Sequence, residues 1–146
     1  MKNYKLLLNT KSKKYPIIIG NNIAKNTKKI IENHSIAFNN CLFLIDKNLN
    51  KKEIHQITSP FKKQGIKIYF NSNEKNKNFK TIIRILEILQ KKDFNRNDVL
   101  ITVGGGITGD TGGFAASIYK RGIKLVNVPT TLLSQVDPSV GGKTGI

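Results

Sequence analysis

Two short runs constrain the fold more than any other feature of this chain: Cys-Leu-Phe-Leu-Ile-Asp at 41–46 and Asp-Val-Leu-Ile-Thr-Val at 98–103. Neither alternates apolar with polar residues. A strand with one wet face would alternate, because successive side chains point to opposite sides of a sheet. An unbroken apolar strand needs cover on both faces, the condition of a parallel sheet sandwiched between helices. Residues 15–20 (YPIIIG), 66–70 (IKIYF) and 123–128 (IKLVNV) predict three more strands, the last closed by Pro129. Helical patterns fall between them. The strongest is 78–91, where Phe79, Ile82, Ile83, Leu86 and Leu89 share a face. Residues 21–33 and 50–64 read as helices, the second interrupted at Ser59-Pro60 and ended by Gly65 as a C-terminal cap. A small-residue helix is expected over 109–120, stopped by Gly122, and a short one opens at 130–136. Strands alternating with helices predict one α/β domain over 1–146. Right-handed crossovers then bring every strand's C-terminal end to one rim, where ligands bind in such sheets.

Charge needs care before it is read as function. The chain carries 25 Lys plus Arg against 9 Asp plus Glu, a net charge of +16, which invites a nucleic-acid reading. Its make-up argues otherwise. Only Arg84, Arg96 and Arg121 are arginines, and the forked guanidinium is the group that clamps phosphates and reads bases. The chain also holds 17 Asn and 21 Ile but 4 Ala, a pattern that A/T-rich codons produce without selection for a partner. The basic residues are scattered and form no stripe interleaved with aromatics. No specific nucleic-acid partner is expected. Cys41 is the one cysteine, so there is no disulfide framework. No apolar run reaches the roughly 20 residues of a membrane span. The three leucines at 6–8 are too few for a signal-peptide core. These features point to a cytoplasmic, reducing compartment and no membrane partner.

Ten of the twelve glycines lie in 101–146, and the chemistry-bearing motifs lie with them. Gly104-Gly105-Gly106-Ile107-Thr108-Gly109-Asp110 follows the 98–103 strand and opens a helix. It fits G-x-G-x-x-G, whose missing Cβ atoms let backbone approach a pyrophosphate at a helix N-terminus. Tight strand–helix packing explains the same glycines equally well. The motif also follows a late strand, and the next acidic residue is Asp137. Asp110 at the helix start reads alone as a capping charge. Thr130 and Thr131 put two hydroxyls on the same rim, where a helix N-cap is the simpler role. Asp46 ends its strand there too, placed either to accept from ribose hydroxyls or to close an Asx turn. Glu74 and Lys77 sit in a polar loop and read alone as solvated charges. Residues 139–145 (SVGGKTG) end like a phosphate loop but lack its upstream glycine, leaving Lys143 as a point charge for an anionic ligand.

Taken in order, GGG-x-x-GD, Y-x-RG, VPTTLL-x-QVD and SVGGKTG over 98–146 resemble 3-dehydroquinate synthases. LIDKN at 44–48 and NEKNK at 73–77 resemble the same family's nucleotide-binding segments. The resemblance implies a Rossmann-like parallel sheet with helices on both faces, NAD as cofactor, and a site assigned position by position. Asp46, Asn48, Glu74 and Lys77 would take the adenosine side. Gly105, Gly106, Ile107, Gly109 and Asp110 would cradle pyrophosphate and ribose, and Thr130, Thr131 and Lys143 would line the cofactor site. Asp137, Lys143 and Arg121 would face the substrate, Arg121 from a neighbouring subunit of a homodimer. The implied reaction takes 3-deoxy-D-arabino-heptulosonate 7-phosphate to 3-dehydroquinate and phosphate, in the shikimate pathway that leads to chorismate and the aromatic amino acids. It runs by oxidation with NAD, phosphate elimination, reduction back, ring opening and aldol closure. The family also uses a divalent metal, zinc or cobalt, held by a Glu and two His of a helical C-terminal domain. That domain is absent from this chain, and His34 and His55 match none of its ligands. The chain is therefore expected to be part of an enzyme and inactive alone. Three departures from the family pattern are Asn73 for Gly, Asn76 for an aromatic and Pro138 for Ser. A decayed NAD-binding remnant, a basic nucleic-acid-binding domain and a glycerol dehydrogenase-like part are the other readings.

Overall fold

A computed structural model describes residues 4–10, 14–34, 36–141 and 144–146. The chain opens with an antiparallel pair, β1 (Tyr4–Asn9) and β2 (Lys14–Ile19), in register from Tyr4 opposite Ile19 to Asn9 opposite Lys14. The sequence predicts the second of these as a member of the parallel sheet. It is not one. The connection from Asn9 to Lys14 is too short for the crossover of about a dozen residues that a parallel neighbour needs. The leucines at 6–8 are strand residues whose partner is this hairpin.

A 3₁₀ turn (Ile23–Asn26) then leads into α1 (Thr27–Asn33). The main sheet contains β3 (Cys41–Asp46), β4 (Gly65–Phe70), β5 (Val99–Gly104) and β6 (Lys124–Pro129), all parallel in the order β4-β3-β5-β6. The two unbroken apolar runs are its central strands. Leu42, Leu44 and Leu100 pack on one face; Cys41, Phe43, Ile45, Val99, Ile101 and Val103 pack on the other. The first face is covered by Ile82, Ile85 and Leu89 of α3 (Phe79–Lys91) and by Ala115 and Ala116 of α4 (Gly106–Ile118). The second is covered by Ile31 of α1 and by Ile54 and Ile57 of α2 (Lys51–Thr58). Continuous hydrophobicity in β3 and β5 thus follows from cover on both sides.

The expected break at Pro60 is real: α2 ends at Thr58 and a 3₁₀ stretch, Ser59–Gln64, follows. Gly65 is not a left-handed cap. It is extended (φ −99°, ψ 118°) and begins β4, where an added Cβ would lie 3.0 Å from Phe43 Cε2. Helix α4 starts three residues earlier than the sequence suggests, with Gly105 as its N-cap. Close approach to β5 explains the shift: a Cβ on Gly104 would stand 2.5 Å from Thr108 Oγ1, and one on Gly112 would stand 2.2 Å from Thr102 Cγ2. Asp110 therefore lies beyond the first turn. Two short helices, α5 (Leu132–Val136) and α6 (Pro138–Gly141), complete the fold.

Candidate functional site

The parallel sheet delivers Asp46, the loop after β4, Gly104–Gly106 and Thr130–Thr131 to a single rim. At the end of β3 the Asp46 carboxylate accepts the Asn48 N–H at 2.9 Å, an Asx turn, and the Lys47 N–H bonds Phe70 O at 2.9 Å. After β4 the chain makes one 3₁₀ turn, Glu74–Asn76, and Glu74 stays exposed. Asn73 is extended (φ −144°), so Asn in place of glycine meets no backbone penalty; its side chain caps the turn by accepting the Asn76 N–H at 3.0 Å. The Asn76 amide in turn donates to Asn71 O at 3.0 Å.

This loop is fastened to α4 twice. The Ser72 and Thr108 hydroxyls are hydrogen-bonded, and Lys77 Nζ donates to Asp110 Oδ2 at 2.9 Å. Both members of that ion pair are about one-fifth exposed. The capping role for Asp110 is thereby replaced by a bridge between loop and helix.

The first turn of α4 is open chemically. Asn50, Asn78 and Thr131 side chains cap α2, α3 and α5, and α1 continues from a 3₁₀ turn, whereas no side chain caps α4. Its first ladder bond runs from Gly109 N to Gly105 O at 3.1 Å, so the amides ahead of it point out of the helix end. Among the described residues, a Cβ on Gly105 would meet only Thr131, at 3.4 Å. Ile107 is packed against the core, so its backbone alone faces the rim. Thr131 is held by its own capping box with Ser134, the simpler of its two expected roles. Thr130 N–H bonds Gly104 O at 3.0 Å.

Above the glycines lies a small roof. Ser134, Pro138 and Ser139 close over Gly104, Gly105 and Gly106 and leave a cavity of about 10 Å³, the space of one water. Pro138 contributes directly, since a Cβ on Gly106 would lie 3.2 Å from its Cγ. The Ser139 hydroxyl bonds Ser134 O, and Tyr15 OH ties the hairpin to this segment at Val140 O, 2.6 Å away. Asp137, between α5 and α6, is exposed. Two residues missed by the sequence reading line the same cavity: Thr102 and Asn127 are register partners on β5 and β6, and Thr102 Oγ1 donates to Asn127 Oδ1 at 2.6 Å. A polar residue flanked on both sides by apolar β-branched ones, Thr102 between Ile101 and Val103 and Asn127 between Val126 and Val128, was the available signal.

Residues 67–146 match the family model described as 3-dehydroquinate synthase N-terminal. The chain belongs to this family. The 3-dehydroquinate synthase of Pelagibacter ubique is 57% identical over 97% of this chain, and that of Dictyoglomus thermophilum is 45% identical over 97%. The chain spans 39% and 38% of these relatives' lengths. Among solved structures, 2-deoxy-scyllo-inosose synthase complexed with carbaglucose-6-phosphate, NAD+ and Co2+ superposes with a TM-score of 0.81 at 24% identity, covering 92% of this chain and 36% of that one. At that identity the likeness shows the fold.

The remaining family positions divide sharply. Lys143 lies outside the described residues. Arg121 is exposed and follows α4, at the edge where the sheet's strands begin. There Lys120 Nζ donates to Phe94 O at 2.7 Å and Arg96 Nε donates to Lys120 O at 2.8 Å. One chain thus holds Arg121 on the opposite edge from Asp137 and the glycine loop. The family's divalent metal finds no fit among the described residues, which contain no group of three His, Cys, Asp or Glu able to hold one. His34 is engaged with Ile30 O at 2.8 Å, and His55 sits on α2. Among the described residues no helix is long and apolar enough to cross a membrane. Cys41 is buried, which pushes its thiol up to about 12, so it offers no nucleophile near neutral pH.

Proposed function

We propose that this chain is the NAD-binding part of a 3-dehydroquinate synthase acting in the cytoplasm on a phosphorylated sugar acid. Family membership supports the reading, and one structural observation carries it: α4 begins at Gly105 with amides that no side chain among the described residues caps, beneath a roof of Ser134, Pro138 and Ser139 that lifts to admit a pyrophosphate. Such a helix end suits a pyrophosphate, whose charge meets free N–H groups and the positive end of the helix dipole.

The amides of Gly106, Ile107 and Thr108 hold the pyrophosphate, with Gly109 keeping the next turn free of side chains. Asp46 and Asn48 take the adenosine ribose at the end of β3. Glu74 borders it, and the Lys77–Asp110 bridge fixes that loop to the helix. Thr130 and Thr131 line the nicotinamide side. Bound NAD supplies a hydride acceptor for a substrate hydroxyl. By family position Asp137 and Lys143 are assigned to the substrate's polar groups, and Arg121 to an anionic group in the partner subunit's site of a homodimer, because its own chain holds it at the far edge. Metal ligands are supplied outside these residues, so this chain by itself does not turn over.

The test is NAD titration of the wild-type chain and of Gly105→Ala. Gly105 has φ −78° and its added methyl meets only an ordinary contact, so the fold is retained. Saturable NAD binding that weakens at least tenfold in the variant, with unchanged circular dichroism, is expected. Equal affinity in both proteins overturns the cradle, and absence of binding in the wild type supports a decayed remnant. Phosphate release from the sugar-acid substrate, with NAD and zinc added, is expected to be absent.

A further inference from the structure

A second hollow, of about 380 Å³, lies away from the glycine loop. It exists because of how α2 crosses the sheet. Ile54 and Ile57 pack against Phe43 and Ile45 of β3, leaving one face of the edge strand β4 uncovered. Along β4, Ile66, Ile68 and Phe70 turn into the core, while Lys67 and Tyr69 turn outward into the uncovered space. Lys47 and Lys51 close it from the α2 side, with His55 on the wall and Ile54 beneath.

The electrostatics of this space are one-sided. No carboxylate lines it, and none of the three lysine side chains has an ion-pair or hydrogen-bond partner among the described residues. Lys77, by contrast, is paired. Three ammonium groups facing one concave space raise its potential and favour a multiply charged anion. The volume falls within the range of small-molecule sites. Ile54 and the half-exposed Tyr69 ring add an apolar floor and wall for a flat or apolar body. Lysines act on phosphate as mobile point charges.

We propose that this hollow is a binding site for a small organic polyphosphate, its phosphates held by Lys47, Lys51 and Lys67 and its body laid against Tyr69. The site shares no residue with the glycine loop and borders the adenosine end of the NAD reading, since Lys47 lies between Asp46 and Asn48.

Inorganic pyrophosphate is the probe, titrated into the chain and followed by proton NMR of its two histidines, only one of which, His55, lines the hollow. The His55 ring signals are expected to shift saturably while those of His34 stay in place. Lys51→Gln/Lys67→Gln is expected to weaken binding at least tenfold. Lys80→Gln/Lys91→Gln removes the same charge from α3, on the other face of the sheet, and is expected to change affinity less than twofold. Gly105→Ala is expected to leave it unchanged. Equal weakening by both lysine pairs would mean that net charge alone attracts the anion. Loss in Gly105→Ala but not in Lys51→Gln/Lys67→Gln would assign pyrophosphate to the glycine loop. Either result, or a still His55, overturns the proposal.

Discussion

Lys77 Nζ stands 2.9 Å from Asp110 Oδ2, joining a loop and a helix that lie 33 positions apart in the chain. With the Ser72–Thr108 hydroxyl pair beside it, this contact holds the 71–78 loop against the first two turns of α4. Because both side chains are about one-fifth exposed, water screens the pair only in part. A double-mutant cycle with Lys77→Met and Asp110→Asn, read by urea unfolding, is expected to give a coupling of about 1 kcal/mol. Additive effects would show that the bridge contributes nothing to stability.

Gly112 and Gly109 lie in the same helix and have opposite expectations. A methyl at 112 would come 2.2 Å from Thr102 Cγ2 and 3.1 Å from Leu100 Cδ2, inside the packed face of β5. Gly112→Ala is expected to destabilise by about 1–3 kcal/mol through overpacking. Among the described residues, a methyl at 109 meets nothing closer than Asn127 Oδ1 at 4.0 Å. Gly109→Ala is expected to stabilise by about 0.5–1 kcal/mol, the helix-propensity gain. Denaturation midpoints of the two variants moving in the same direction would contradict this assignment.

Cys41 is buried at the start of β3, and burial raises its thiol from 9.0 to about 12. The native state therefore keeps its proton longer than the unfolded chain. The stability it contributes is complete below pH 9.0 and is lost as pH rises toward about 12. A thiol reagent at pH 8 is expected to modify the urea-unfolded chain rapidly and the native chain only at its unfolding rate. Cys41→Ser is expected to flatten the alkaline loss of stability between those two values.

Lys120 and Arg121 both have left-handed backbone, φ 47° and 68°, ahead of Gly122 at φ 108°. Two adjacent non-glycine residues in that region store strain. Arg121→Gly is expected to be more stable than Arg121→Ala by about 1 kcal/mol, because only glycine relieves the conformation. Equal thermal midpoints would show an unstrained turn. In an assembled enzyme the same Arg121→Gly change is expected to cost activity, the outcome of a strained residue kept for a neighbouring site.

Much of this architecture was legible in residue patterns. Unbroken apolar runs announced β3 and β5 because both faces of each are covered. The spacing of α3 and the break at Pro60 were equally plain. The hairpin partner of β2 was not, because β1 is mostly exposed and its leucines carry no clear period. The start of α4 was misplaced by three residues because glycine disfavours helix interiors, and only its contact with β5 makes Gly106–Gly109 helical. Site residues showed the same division. Motif order singled out Asp46, Gly105, Asp110 and Thr131 as a set, while the partners of those residues, Asn48 N–H, Lys77 and Ser134, follow from the folded chain.

Sequence by itself determined the layering and the rim. Hydrophobic period is a local property, and right-handed crossovers leave few ways to join parallel strands. It also determined family membership through motifs in a set order. Tertiary structure decided everything that depends on distance between remote segments. It set Lys77 against Asp110, closed Pro138 over Gly106, held Arg121 on the edge away from Asp137, and left β4 uncovered beside α2. Periodicity says which side of an element is buried; it does not say which neighbour fills the space, and in this chain the neighbours distinguish a roofed glycine loop, a bridge and a lysine-lined hollow.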